Sequence, residues 1–162
     1  MDARHFIDSL DFARNGQSIS GEVPVAELPR LQDMLENQQG ILGYAIRGGA
    51  DKQGNHFLDV SVTGLCHVRC QRCLVGIDSP VQIDTRLLLR DQTSLDALGD
   101  EEEALDSILA DEQLDVLNLL EDEVLLSLPI APKHDVCLPA GSENGYGEKR
   151  HPFAILAKLK QN

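Results

Sequence analysis

The sequence has 162 residues, close to the usual size of one domain, and 42% of them are hydrophobic. Its net charge of −13 repels phosphate and argues against a free-standing nucleic-acid-binding protein. Aromatic residues make up 4% and Trp is absent, so few side chains can stack on single-stranded bases. We therefore predict one globular domain over residues 1–162.

The first residues, MDARHFIDSLDFARNG, carry charges throughout and contain no apolar run of signal-peptide length. No segment approaches the roughly 20 apolar residues of a membrane span. We therefore expect a cytoplasmic protein with no membrane partner. Because disulfides rarely persist in the cytoplasm, the 4 cysteines are better read as thiols or metal ligands.

The first patterned segment is EVPVAELPRLQDMLENQQG. EVPV has the composition of a short strand, and Gly40 is a plausible stop for a helix that precedes it. Pro29 is acceptable in the first turn of a helix, where its missing N–H costs little. The pattern predicts a helix from about Val25 to Asn37, whose apolar face is Leu28, Leu31, Met34 and Leu35.

Residues 41–90 read as strands and turns. HFLDVSVTGL alternates with period two, which puts Leu58, Val60 and Val62 on one face of a strand and Phe57, Asp59 and Ser61 on the other. ILGYAIRG precedes it and CLVGIDSPVQIDTRLLLR follows, and both are extended in character. The segment predicts an antiparallel meander of three strands or more, with cysteines at the turn between two of them.

The later segments are acidic, helical and then irregular. Residues 91–123 contain thirteen Asp or Glu and no Lys or Arg, while the other 14 acidic and 14 basic residues cancel. Residues 91–111 predict an acidic loop with room for a short helix. LDVLNLLEDEVLLSLP predicts a helix stopped by Pro129, with Glu121, Asp122 and Glu123 on its solvated face.

Residues 133–151 are rich in Pro, Gly and polar side chains and predict an irregular segment. The ending, PFAILAKLKQN, predicts a short helix that docks on the body of the protein. Together these elements define the expected fold class. It is α+β, an antiparallel sheet with a CxxC turn, packed against a few helices.

The stretch LCHVRCQRCL, residues 65–74, holds the residues most suited to chemistry. Cys70 and Cys73 form a CxxC on a turn between strands, a geometry that lets two thiolates face one zinc ion. A structural zinc site needs four ligands. Cys66 and Cys137 complete a tentative set of four cysteines, and His67 and His134 are further candidates.

Other interpretations of the thiols stay open. The cysteines are equally well explained as cytosolic thiols that bind no metal. A redox role is disfavoured because the sequence after Cys73 is strand-like, so no helix N-terminus lowers the thiol pKa. A thiol nucleophile needs a neighbouring base, and His67 and His134 are near cysteines in sequence, as chance also allows. The sequence contains none of GxxxxGK[ST], GxGxxG before a helix, or HExxH.

The predicted ribbon also carries basic side chains. Arg69 and Arg72 flank the thiols, and Arg47 and Arg86 fall on the same ribbon. Arginines on a zinc-bearing turn can contact RNA phosphates or splayed bases, so these four are candidates for binding RNA or a partner. The competing interpretation is that they keep the ribbon soluble.

Three stretches resemble a known family in combination. They are VTGLCHVRCQRCLVGIDSPVQID, LNLLEDEVLLSLPIAPKHDVC and HPFAILAKLK. In this order and spacing they resemble the bacterial YceD family, large ribosomal RNA subunit accumulation proteins, over residues 22–160. The family's CxxC is matched by Cys70 and Cys73, and its later cysteine by Cys137. Cys66 has no counterpart in the family pattern.

The resemblance implies a cytoplasmic, non-enzymatic ribosome-biogenesis factor needed for normal levels of 23S ribosomal RNA. It would bind ribosomal RNA or a basic ribosomal or assembly protein, and the acidic stretch favours the protein. The alternatives are a thiol- or metal-dependent enzyme in ribosomal RNA processing, a zinc-binding nucleic-acid module, and a metal-linked redox sensor.

Overall fold

A computed structural model describes residues 6–96 and 106–137 of the chain. In chain order the elements are β1 (Phe6–Ile7), α1 (Ser9–Arg14), β2 (Ser18–Pro24), β3 (Ile41–Ala50), β4 (His56–Arg69), β5 (Gly76–Arg90), α2 (Gln92–Asp96), β6 (Ser107–Leu109), β7 (Leu114–Asp115) and α3 (Val116–Ser127). Strands β2 to β6 form one sheet in that order, and β1 pairs with β7. The α+β class and the antiparallel meander of β3, β4 and β5 are confirmed.

One face of the five-stranded sheet carries the hydrophobic core. The alternation in β4 is as predicted, since Leu58, Val60 and Val62 are all fully buried. Helix α1 packs closely on β3, because a side chain at Gly48 would come within 2.6 Å of the Phe12 carbonyl oxygen. The helices and the 25–35 segment cover this face with apolar side chains: Phe12, Ala13, Val25, Leu28, Leu31, Leu35, Val116, Leu119, Leu120 and Val124.

The hairpin of β4 and β5 is longer than the strand beside it. Its two strands pair from Phe57–Leu88 to Arg69–Gly76, whereas β3 pairs with β4 only as far as Gly64. Beyond that point the 35–36 segment takes the place of β3. Leu35 forms an isolated bridge with Val68, and the Glu36 N–H donates to the His67 carbonyl at 2.7 Å. The protruding end of the hairpin is therefore supported along its β4 edge.

The predicted helix over Val25–Asn37 is wrong. The structure has two single 3₁₀ turns there, Val25–Glu27 and Pro29–Leu31. Leu28 between them has φ −110° and ψ 83°, because the residue before a proline is disfavoured in the α region. Pro29 falls too far along the segment to sit in the first turn. The leucines at 28, 31 and 35 are nevertheless buried, as the apolar pattern required.

The prediction that Glu121 lies on a solvated helix face is also wrong. Glu121 is 2% exposed and accepts hydrogen bonds from the backbone N–H of Arg30 at 2.6 Å and from its guanidinium Nε at 2.7 Å. Asp122, on the exposed side, accepts from another nitrogen of the same guanidinium at 2.6 Å. These contacts fasten α3 to the second 3₁₀ turn.

Other sequence predictions are met in part. Helix α3 ends at Ser127, and Leu128 before Pro129 is extended, as expected. Within 91–111, the structure adds to the short helix α2 a strand that was not predicted, β6, which pairs in parallel with β5. The N-terminal helix α1 was not predicted either. The short helix predicted for the ending PFAILAKLKQN lies outside the described residues.

No helix in the described ranges is both long enough and apolar enough to cross a membrane.

The buried carboxylate of Glu121 gives a stability prediction. Glu121→Ala leaves the Arg30 N–H without its acceptor, so we expect the free energy of unfolding to fall by about 2 kcal/mol. Glu121→Gln retains one acceptor oxygen, so we expect a smaller loss, about 1 kcal/mol. Urea denaturation monitored by circular dichroism measures both.

The matched control is Asp122→Ala, which removes the exposed carboxylate that contacts the same guanidinium. We expect a loss below about 1 kcal/mol, as for surface ion pairs. Equal losses for Glu121→Ala and Asp122→Ala would contradict the assignment of the stabilising contact to the buried carboxylate.

Candidate metal centre

The CxxC motif occupies the tight turn that joins β4 to β5. The Cys70 N–H donates to the Val75 carbonyl and the Leu74 N–H donates back to the Cys70 carbonyl, each at 2.9 Å. Leu74 has a positive φ of 62°, a left-handed conformation that is uncommon for a residue with a branched side chain. These bonds close the turn and place Cys70 and Cys73 on the same side of it.

A second segment lies across this turn. The Gln71 N–H donates to the Pro132 carbonyl at 2.9 Å. The Arg72 guanidinium donates to the His134 carbonyl at 2.7 Å and to the Cys137 Sγ at 3.0 Å. Residues 130–137 contain no helix or strand, in agreement with the predicted irregular segment where the two ranges overlap. The arginine inside the CxxC thus joins the two segments that carry the cluster.

Four candidate ligands meet at this contact: Cys70, Cys73, His134 and Cys137. Their ligand atoms all lie within 4.8 Å of one another. Cys70 Sγ is 3.6 Å from Cys137 Sγ, and His134 Nδ1 is 3.3 Å from Cys73 Sγ and 3.9 Å from Cys137 Sγ. With Zn–S bonds of about 2.3 Å and Zn–N bonds of about 2.0 Å, a tetrahedral zinc places its ligands roughly 3.5–3.8 Å apart. The three distances given above, 3.3, 3.6 and 3.9 Å, lie close to this spacing.

The imidazole of His134 is oriented for ligation by Nδ1. Its Nε2 lies 3.3 Å from the Gly76 carbonyl oxygen and can donate a hydrogen bond to it. Such a bond keeps the proton on Nε2 and leaves the Nδ1 lone pair facing the thiols. Gly76 begins β5, so the same hairpin that supplies two cysteines also orients the histidine.

The surroundings of the cluster lower the pKa of Cys70 and Cys137 and raise the pKa of Cys73. Burial raises the pKa of Cys70, which has no exposed surface, but hydrogen bonds from backbone N–H groups of the turn and of His134 outweigh burial. The result is a pKa of about 5 for Cys70. A hydrogen bond with Cys137, and then one with Cys70, raises the pKa of His134. Backbone N–H groups, the Arg72 guanidinium and the His134 imidazole are therefore the polar partners of the sulfur atoms.

Cys66, one of the four cysteines predicted as ligands, is not part of the cluster. It is fully buried among the apolar side chains of the core, and burial raises the pKa of its thiol. Cys66 lies an even number of positions from Val62 and from Val68 in β4, so the three side chains lie on the same face of the strand, the core face. His134 takes its place among the four.

His67, the other histidine considered, points to the opposite face of the sheet from Cys66. Its Nδ1 lies 2.6 Å from a carboxylate oxygen of Asp78, the residue directly across from it on β5.

The four arginines considered for RNA or partner binding have separate surroundings. Arg69 pairs with Glu36 at 2.7 Å, and Arg72 belongs to the thiol cluster.

Arg86 donates to both oxygens of Asp59, at 2.6 and 2.9 Å, and its guanidinium lies 3.8 Å from the centre of the Phe57 ring. Arg47 lines an open polar groove on the outer sheet face with Asp59, Asp84 and Arg86. Negative side chains thus accompany the arginines on that face.

The comparisons with known proteins agree with the resemblance seen in the sequence. The family model described as large ribosomal RNA subunit accumulation protein YceD matches residues 58–160, and the chain belongs to this family. The chain is also similar to the large ribosomal RNA subunit accumulation protein YceD of Haemophilus influenzae, with 36% identity over 58 residues. That match covers 30% of this chain and 33% of the relative, about a third of its length. No solved structure matches the chain.

The low pKa of Cys70 predicts the titration of the metal-free, reduced protein. Below about pH 5 the Cys70 thiol is protonated, and above it thiolate forms. We therefore expect thiolate absorbance in the ultraviolet to rise with a midpoint near pH 5, more than three units below the ordinary cysteine pKa of about 8.5. Cys70→Ser should remove this step.

The matched control is Cys66→Ser, which should leave the step unchanged because the Cys66 thiol titrates at high pH. If every thiol of the wild-type protein titrated near pH 8.5 or above, the electrostatics described for the cluster would be wrong.

Proposed function

We propose that this protein is a non-enzymatic factor in ribosome production. It acts in the cytoplasm, supports normal accumulation of 23S ribosomal RNA, and does so by binding ribosomal RNA or a basic ribosomal or assembly protein. The observation that carries the proposal is the family match, which runs from β4 through the CxxC turn to residue 160. The name of the Haemophilus influenzae relative refers to accumulation of large-subunit ribosomal RNA.

The ligand set supports a structural role for the metal. Structural zinc sites use four protein ligands, whereas catalytic ones keep a position open for water or substrate. Here three thiols and one imidazole supply four donors, and one of the thiols is fully buried. We propose zinc as the metal, because a sulfur-rich tetrahedral set suits it. When bound, zinc would cross-link the hairpin turn to the 132–137 segment.

Arg72 is better explained by this centre than by RNA. Three thiolates and one neutral imidazole around Zn²⁺ leave one negative charge, and the Arg72 guanidinium lies 3.0 Å from one of the sulfurs. Its remaining contact is to a backbone carbonyl of the same cluster. A side chain engaged in this way stabilises the centre, and its Nε–H and one terminal N–H face the cluster and not a phosphate.

The zinc proposal predicts one zinc per chain in protein purified without added metal, measured by elemental analysis. We expect Cys70→Ser, Cys73→Ser, Cys137→Ser and His134→Ala each to lower the zinc content and the melting temperature together, because the ion and the fold of the turn are coupled. A strong chelator should have the same effect on the wild-type protein.

The control is Cys66→Ala, a core cysteine outside the cluster. It should lose stability, by about 1 kcal/mol for the small cavity, and retain full zinc. Zinc lost from Cys66→Ala but kept in His134→Ala would overturn the ligand set, and metal-free protein with unchanged stability would overturn the structural role.

The ribosomal part of the proposal is tested in cells that lack the protein. We expect the ratio of 23S to 16S ribosomal RNA to fall and the full chain to restore it. Co-purification from lysate, with and without ribonuclease, separates the two kinds of partner: an association that survives ribonuclease supports a protein. An unchanged ratio in the absence of the protein would overturn the proposed function.

If purified protein processed precursor ribosomal RNA by itself, the enzymatic alternative would hold instead.

A further inference from the structure

A groove outside the metal centre combines exposed apolar and acidic side chains. It lies between the β1–β7 pair, β6 and the beginning of α3. We call it the acidic groove, and its lining is Phe6, Ile108, Asp111, Gln113, Leu114, Asp115, Asn118, Leu119 and Asp122. Neither the metal centre nor the predicted RNA-facing arginines contribute to it.

The apolar part of the groove is exposed to solvent. Phe6 is 55% exposed, an unusual position for an aromatic side chain in a chain with 4% aromatic residues. Ile108 and Leu114 are half-buried and continue the apolar surface toward the core residue Leu119. Exposed aromatic side chains beside partly buried aliphatic ones are typical of contact surfaces for protein partners.

The charge of the groove is negative. Its lining includes three aspartates and, within the described part of the chain, no Lys or Arg. Asp111 and Asp115 accept hydrogen bonds from backbone N–H groups, which leaves their charge without a counterion in those contacts. Asp122 alone contacts a guanidinium, that of Arg30.

The negative field of Asp122 and of Asp106, a carboxylate outside the groove lining, extends to Glu123. Burial raises the pKa of Glu123, and the nearby carboxylates of Asp106 and Asp122 raise it further. Carboxylates that disfavour one another's ionisation gain when a cation approaches. A polyanion such as RNA would meet repulsion at the same place.

From these features we infer that the acidic groove is the docking site for a Lys- and Arg-rich segment of a partner protein, with at least one apolar side chain placed against Phe6. The inference rests on the proposed function and narrows its partner from ribosomal RNA or protein to a basic protein. Electrostatic attraction provides fast, specific encounter, and the apolar contact at Phe6 slows dissociation.

The test uses the full chain as purified and a short synthetic peptide of Lys, Arg and Leu as the probe. Asp111→Asn and Asp115→Asn in one variant remove two charges and keep the hydrogen-bonding oxygens, since Asn caps helices as well as Asp does. We expect this variant to bind the peptide about five- to tenfold more weakly, and Phe6→Ala to lose a similar factor.

The matched control combines Asp33→Asn with Asp84→Asn, the same change of charge at exposed positions outside the groove. It should bind the peptide as the wild-type chain does. A second peptide has Leu replaced by Ser. It should bind the wild-type chain more weakly than the first peptide does, and it should bind Phe6→Ala as tightly as the first peptide does. Equal weakening of the groove and control variants, or tighter binding of a single-stranded oligouridylate than of the peptide, would overturn the inference.

Cell experiments separate this inference from the proposed function. If the wild-type chain fails to restore 23S ribosomal RNA, the proposed function fails. If the chain restores it and the groove variants restore it equally well, only the docking site is overturned. Partial restoration by the groove variants, with full restoration by the control, supports both.

Discussion

The length of the β4–β5 hairpin is the constraint on which the metal centre depends. Two strands that protrude beyond their neighbour leave their turn without the support of the sheet, and a two-stranded hairpin alone is marginally stable in water. The chain supplies two supports: the 35–36 segment along β4, and the 132–137 segment across the turn. A metal bound between the 132–137 segment and the turn would add to the hydrogen bonds that already join them.

The acidic side chains near α3 have two different surroundings: one forms a buried ion pair, and others lie on an open surface. Glu121 is an acidic residue in a stretch without Lys or Arg, yet its partner Arg30 comes from 91 positions earlier in the chain. A buried carboxylate requires such a partner, because an uncompensated charge in the core is costly. Asp111 and Asp115 of the groove precede the first residue of α3 and are not buried, so their charge remains available to a partner.

Local patterns predicted the parts of the fold that local forces decide. Alternation identified β4, and the same alternation, followed through Val62 to Cys66 and Val68, would have placed Cys66 in the core. Pro29 in the middle of an apolar segment was likewise a visible sign against one continuous helix. The contact between His134 Nδ1 and Cys73 Sγ joins residues that are 61 positions apart, and no local sequence pattern predicts such a contact. The sequence could therefore exclude Cys66 and offer His134 as a candidate ligand, but it could not show that His134 meets the thiols.

The candidate ligand cluster changes what a cysteine phenotype would mean. Substitution of Cys70 or Cys73 would remove a proposed ligand, and it would also loosen the 132–137 segment and the end of the hairpin. Loss of activity after such a change therefore follows equally from a catalytic thiol and from a structural one. Substitutions at exposed positions that keep every backbone hydrogen bond, such as Asp to Asn at a helix cap, do not have this ambiguity. Because the cysteine cluster lies where the hairpin turn contacts the 132–137 segment, the surface that contacts partners is better sought away from it, where charge and exposed apolar area are not needed by the fold.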